Sequence, residues 1–182
     1  MHYIAVYCGS SKGKSPIYEQ EAKNFARKLA DTGFGLVYGG GAIGLMGIIA
    51  DEMLACGAEV IGVIPQKLLN MEVGHTQLTK LHVVETMHQR KALMSEYASG
   101  FVALPGAVGT LEELFEIIVL NKLKYINKPF AFYNINNYYD KLIEFLRHTY
   151  DEGFLWKATF DSFFISNEAD KIVRYFNEKI NY

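Results

Sequence analysis

Residues 87–116 read M-H-Q-R-K-A-L-M-S-E-Y-A-S-G-F-V-A-L-P-G-A-V-G-T-L-E-E-L-F-E. The segment parses as helix, buried strand, glycine turn, helix. Phe101 to Leu104 form an apolar run that stops at Pro105. Arg90 and Lys91 sit near the start of the first helix, and Glu112 and Glu113 are expected in the first turn of the second. A strand that feeds a glycine turn and then a helix N-terminus aims free N–H groups and a positive dipole end at one point, which suits an anion. The segment is therefore expected to bind a phosphorylated small molecule and to set a glutamate against it.

The same alternation extends both ways. Residues 3–8 form a β-type run ending in Gly9-Ser10-Ser11, and Ser15-Pro16 reads as an N-cap followed by proline at the first helical position. Ala22, Phe25, Ala26, Leu29 and Ala30 recur at helical spacing up to Gly33. Strand 34–38, helix 43–56 and strand 60–64 follow, while 66–79 is polar and irregular. Strand 81–84 precedes the opening segment. After it come strand 129–133, an asparagine turn at 134–137, helix 138–152, a short strand at 163–165 and a terminal helix to about Lys179. Short strands without polar alternation, separated by helices, predict a parallel sheet covered on both faces. The expected fold is one Rossmann-like α/β domain over residues 1–182, doubly wound, with ligands beyond the carboxyl ends of the strands.

With 50% hydrophobic and 21% charged residues, the chain has the composition of a globular domain with a sizeable core. A formal charge of −2 without a basic block argues against a dedicated nucleic-acid binder. No apolar run approaches the ~20 residues that span a bilayer. The N-terminus has no basic region or cleavage site of a secretory signal. Two cysteines, Cys8 and Cys56, make no disulfide framework, so a reducing, cytoplasmic setting is expected.

Three further motifs bear on chemistry. Gly39-Gly40-Gly41-Ala42-Ile43-Gly44 satisfies G-x-G-x-x-G between a strand and a helix, and Gly40 and Gly41 are candidate phosphate contacts. A dinucleotide site also wants a carboxylate at the end of the next strand, and that strand ends in Ile64-Pro65. Residues 9–15, G-S-S-K-G-K-S, fall one residue short of a P-loop; Lys12 and Lys14 then read as a solvated loop, while Ser10 can line a pocket. Thr110-Leu111-Glu112-Glu113 is also a capping box, in which Glu113 is only a helix cap. The capping and catalytic readings stand side by side. The five histidines show no metal-ligand spacing, so no metal is expected.

Taken together, G-G-G-A-I-G-L-M-G at 39–47, M-H-Q-R-K at 87–91 and P-G-A-V-G-T-L-E-E at 105–113 resemble the LOG family, the cytokinin riboside 5′-monophosphate phosphoribohydrolases, once widely labelled lysine decarboxylase-like. The similarity runs nearly end to end and includes V-Y-C-G-S-S at 6–11, I-G-V-I-P at 61–65 and N-x-x-x-Y-Y-D at 134–140. It implies hydrolysis of the N-glycosidic bond of a nucleoside 5′-monophosphate, AMP or an N6-modified AMP, without a cofactor, in a homodimer. It implies Arg90 and Glu113 as the catalytic pair. Substrate contacts would be Glu72, Lys91 and the turn Gly106, Ala107, Val108, Gly109 and Thr110. The chain departs from the family hallmark at Ala107, where the family has a second glycine. If that position needs φ > 0 or close approach to phosphate, Ala107 carries a cost, and a non-catalytic nucleotide-binding or carrier protein is the alternative. Leu114, Phe115, Ile118 and Val119 suit either the core or a dimer interface.

Overall fold

The computed structural model of the chain describes residues 1–72 and 74–180, apart from the side chains of Met71 and Glu72. Among the described residues, seven strands form one parallel sheet: β1 (Tyr3–Tyr7), β2 (Gly35–Tyr38), β3 (Val60–Pro65), β4 (Lys80–Val84), β5 (Ala98–Ala103), β6 (Phe130–Tyr133) and β7 (Phe164–Ser166). Between and after them run α1 (Pro16–Asp31), α2 (Gly44–Ala55), α3 (Gln66–Glu72), α4 (Met87–Tyr97), α5 (Val108–Lys122), α6 (Asp140–Asp151), α7 (Lys157–Asp161) and α8 (Ala169–Ile180). The sheet order is β4-β3-β2-β1-β5-β6-β7. The chain starts at the centre, winds out to β4, and returns to the other side of β1 with β5.

Period-two alternation divides the core between two faces. In β1, Ile4 and Val6 pack with α1, α2 and α8 through Phe25, Leu45, Ile49 and Phe176. Ala5 and Tyr7 face the other way, toward Met94, Leu114 and Ile118 on α4 and α5. Phe101 and Phe132 are fully buried on that second face, each worth about 1.5–3 kcal/mol of apolar burial. Phe115 packs against the same cluster from a partly buried position, while Val119 is exposed.

The punctuation was legible. Pro16 opens α1, Gly33 follows it at φ 79, and Asn136 and Asn137 adopt left-handed φ of 52 and 58. Two helices depart from expectation. α3 occupies part of the stretch expected to be irregular, and α7 is a single turn where no element is expected. Both are too short to show a period; α7 is held by Phe160, which stacks on Tyr150 at 5.3 Å. β4 is an edge strand with Val83 exposed, so it lacks the two-sided burial of the central strands.

Candidate active site

The strand order reverses between β1 and β5, and in doubly wound sheets ligands sit at that switch point. A cavity of about 280 Å3 opens there. Its walls are the loop after β1 (residues 8–13), the turn after β5 (105–107), the start of α5, and side chains from α2 and α4.

The helix that faces this cavity begins earlier than its capping signature suggests. α5 starts at Val108 with Ala107 as N-cap, and no side chain caps it. Thr110 is therefore inside the helix, and Glu112 and Glu113 lie beyond its first turn, which holds no acidic residue. The capping-box reading of Thr110 and Glu113 fails because the chain enters helical geometry directly from the Pro105-Gly106 turn. Thr110 instead packs over Gly106, where an added Cβ would lie 2.0 Å from the Thr110 Oγ1. The same signature works at α4. There Thr86 Oγ1 accepts from the Gln89 N–H at 3.1 Å, and Gln89 Oε1 accepts from the Thr86 N–H at 3.2 Å. Ala107 has φ −102 and ψ −149, so its methyl carries no left-handed strain. The concern that this position needs glycine for its φ does not hold.

The turn is fixed from behind by its carbonyls. The Gly9 N–H donates to Pro105 O at 3.0 Å, the Tyr139 hydroxyl to Leu104 O at 2.6 Å, and the Tyr138 hydroxyl to Gly106 O at 2.7 Å. The left-handed asparagines place both tyrosines, and Asn134 Oδ1 accepts the Tyr139 N–H at 2.6 Å. With the acceptors occupied, the uncapped N–H groups and dipole of α5 are left at the cavity as an anion site.

Arg90 is 6% exposed although it carries a full charge, and it lines the same cavity. Its Nη2 donates to Gly39 O at 3.2 Å, and an added Cβ on Gly39 would fall 2.0 Å from that nitrogen. The first glycine of the G-G-G run thus makes room for the guanidinium. Arg90 Nε is buried without a hydrogen-bond partner among the described residues, an open donor at the site. Glu113 lines the cavity as well. Both charges act on the buried Tyr7 phenol. Burial pushes its pKa far up, Glu113 adds to the rise, and Arg90 opposes it. Burial, then Glu113, likewise raises the Cys8 thiol, so Cys8 is a neutral wall residue.

The structure brings together Ser10, Arg90, Gly106, Ala107, Gly109, Thr110 and Glu113. It leaves others outside. Gly40 and Gly41 do not line the cavity: Gly40 O accepts from the His75 N–H, and Gly41 bridges to Gly74. The glycine-rich turn serves to pack Arg90 and, through Gly44, the Ser10–Ser11 backbone. Val108 points away, 82% exposed. Lys91 is engaged by Glu112 at 2.5 Å and Glu116 at 2.9 Å; burial opposes its charge, yet the two carboxylates hold its pKa above the ordinary lysine value. Arg90 makes no ion pair with Glu96 among the described residues. The Glu72 side chain lies outside the described residues. Sequence reading missed Lys12, Tyr18 and Tyr138 as cavity residues. Only the quoted Y-Y pair after the asparagine turn pointed toward the last of them.

A family model described as possible lysine decarboxylase matches residues 46–176. The chain is 45% identical over 157 residues to a cytokinin riboside 5′-monophosphate phosphoribohydrolase of Rhodococcoides fascians, covering 86% of this chain and 79% of that one. It is 42% identical over 152 residues to an Arabidopsis thaliana protein of the same description, covering 84% and 70%. Among solved structures, a molybdenum cofactor binding protein from Rippkaea orientalis superposes with TM-score 0.73 at 17% identity, covering 97% of this chain and 96% of that one. The molybdenum cofactor carrier protein of Chlamydomonas reinhardtii does so at 0.69 and 16%, with the same coverage. At that identity these two share the fold alone.

Proposed function

The chain belongs to the family described as possible lysine decarboxylase, and within it we propose that the chain hydrolyses the N-glycosidic bond of nucleoside 5′-monophosphates of the AMP class, including N6-modified AMP. The observation that carries this reading is a buried, anchored Arg90 in one cavity with Glu113 and the uncapped N-terminus of α5. The 5′-phosphate rests on the first N–H groups of α5, with the Ser10 loop opposite. In the reaction the C1′–N bond to the base breaks and the oxygen of a water bonds to C1′. The base leaves with the bonding electron pair and takes up a proton, and the water gives up a proton. Positive charge develops on the ribose. Glu113 stabilises it and accepts the proton from the water. Arg90, lining the same cavity, offers its guanidinium to the departing base or to that carboxylate. The products are the free base and ribose 5-phosphate.

The decarboxylase wording of the family fits this cavity poorly. A Schiff-base lysine works desolvated, whereas the lysine lining the cavity, Lys12, has a side chain 59% exposed and ion-paired with Glu19. A homodimer and a cytoplasmic setting belong to the same proposal. Val108 and Val119 are exposed and fall on one face of α5 by helical spacing, which supports an interface there. Among the described residues no helix is long and apolar enough to cross a membrane.

The test is chromatographic. Purified protein is expected to release adenine from AMP, or the substituted base from an N6-substituted AMP, and to leave the nucleosides intact. Turnover in Glu113→Gln should fall by about 10²–10³. Full turnover in that variant would remove Glu113 from the mechanism, and no base release from any nucleotide of a panel would overturn the function.

A further inference from the structure

A second cavity, of about 640 Å3, opens beside Phe130 at the amino end of β6, whereas the catalytic cavity lies at the carboxyl ends of β1 and β5. It lies between the end of α5, the segment leading into β6, α7 and the last turns of α8. Among the described residues, Lys122, Lys124, Lys128 and Lys179 line it and no carboxylate does. None of the four forms an ion pair among the described residues. In a chain of net charge −2, this gathering is local rather than a consequence of composition. Like charges held together repel, and a bound anion relieves that repulsion.

Two further features point to a ligand. Lys124 follows the C-cap of α5 with φ 62, in the position where glycine is the usual residue. The chain keeps a lysine side chain there in spite of the left-handed backbone. Lys128 is partly buried, its Nζ donates at 2.7 Å to the neutral Ser95 carbonyl, and burial pushes its pKa down. Glu96 opposes that fall from beyond ion-pair distance, and an anion in the groove supplies a direct charge partner. Trp156 forms one wall, with the Lys122 ammonium 4.6 Å above its ring.

We propose that this groove binds a small molecule through a chain of phosphates, at a site separate from the one that hydrolyses the glycosidic bond. Four ammoniums exceed what a single phosphate neutralises, and lysine serves phosphate as a compact point charge. The volume and the indole leave room for a nucleoside attached to that chain.

Trp156 is the chain's one tryptophan, so its fluorescence reports on this groove alone. The probes are sodium tripolyphosphate and ADP, each titrated at fixed ionic strength. Tripolyphosphate is expected to give a saturable change in emission. The double variant Lys124→Glu/Lys179→Glu, at two exposed positions, is expected to weaken it by at least about tenfold while base release from AMP stays unchanged. An ADP midpoint at or below that of tripolyphosphate, with one phosphate fewer, shows that the groove also holds the nucleoside, and a higher one shows that the phosphates are the whole recognition element. The proposal is overturned by no saturable response to tripolyphosphate, by a response to ADP alone, or by an unaltered titration in the double variant.

Discussion

The hydroxyl of Tyr138 donates to the carbonyl oxygen of Gly106 at 2.7 Å. Tyr138 lines the cavity, 43% exposed, and its ring meets Tyr18 edge-on at 5.9 Å. One side chain therefore joins the turn after β5 to the segment that follows the β1 loop. A hydrogen bond of this kind is worth about 0.5–1.5 kcal/mol, and here it orients the peptide planes that lead into α5. In Tyr138→Phe the KM for a 5′-monophosphate should rise several-fold while kcat changes little, with the far-ultraviolet spectrum unchanged. Steady-state kinetics at matched pH decide it: a fall in kcat at constant KM contradicts a role in holding phosphate.

Gly39→Ala tests the seat of Arg90. The added methyl would meet the Nη2 at 2.0 Å, and that nitrogen is the far end of a flexible side chain. The fold should hold while the guanidinium shifts, so turnover should drop by about 10²–10³ at nearly constant melting temperature. Calorimetry beside a base-release assay separates this from unfolding; a variant that melts early and keeps its specific activity speaks against it.

Gly106 and Ala107 should respond to different degrees. Gly106→Ala drives a methyl into Thr110 and should cost about 1–3 kcal/mol of stability from overpacking. Ala107 already has negative φ. Ala107→Gly should therefore cost only about 0.4–1 kcal/mol, through the greater freedom of the unfolded chain. Urea midpoints of the two variants provide the comparison, and equal losses would refute the distinction.

Alkaline pH should destabilise the protein through its tyrosines. Tyr3 is pushed up to about 12, chiefly by its hydrogen bond to Glu59, and burial raises Tyr38, Tyr133 and Tyr139 further. The folded state holds these phenolic protons more tightly than the unfolded chain, whose phenols titrate near ~10. The stability they contribute is fully present below that pH and is lost as pH rises through the folded values. Phenolate absorbance should then rise late and together with unfolding, and Tyr3→Phe should remove the part of the slope lying between about 10 and 12. A gradual rise in an intact fold would show that these phenols are accessible.

Much of this was readable because strands and glycine turns are local. The run 101–104 ending at Pro105 marked β5 and the turn beyond it, and a doubly wound sheet implied ligands beyond the carboxyl ends of its strands; the strand order, and with it the switch point where Arg90 and Glu113 line one cavity, comes from the fold. What local rules misjudged was the role of each residue. Thr86 and Thr110 carry the same capping signature, and only Thr86 caps, because Gly106 sets where α5 begins. Gly39, Gly40 and Gly41 match a phosphate motif, yet the first is small for the sake of an arginine 51 residues away. Tyr138 has no periodicity that announces it; its partner lies 32 residues earlier, and only the folded chain shows them together.

The pairing of β1 with β5 sets a delay during synthesis. Tyr3 meets Ala98, and β2, β3 and β4 are all made before that partner exists. At about 5–20 residues per second, β1 leaves the ribosome roughly 5–20 s before β5. Through that interval Ile4, Ala5, Val6 and Tyr7 present an apolar strand with one open edge, the kind that pairs with other chains. The seam between these two strands, whose carboxyl ends carry the cavity, is thus also where the nascent chain keeps an edge open to aggregation.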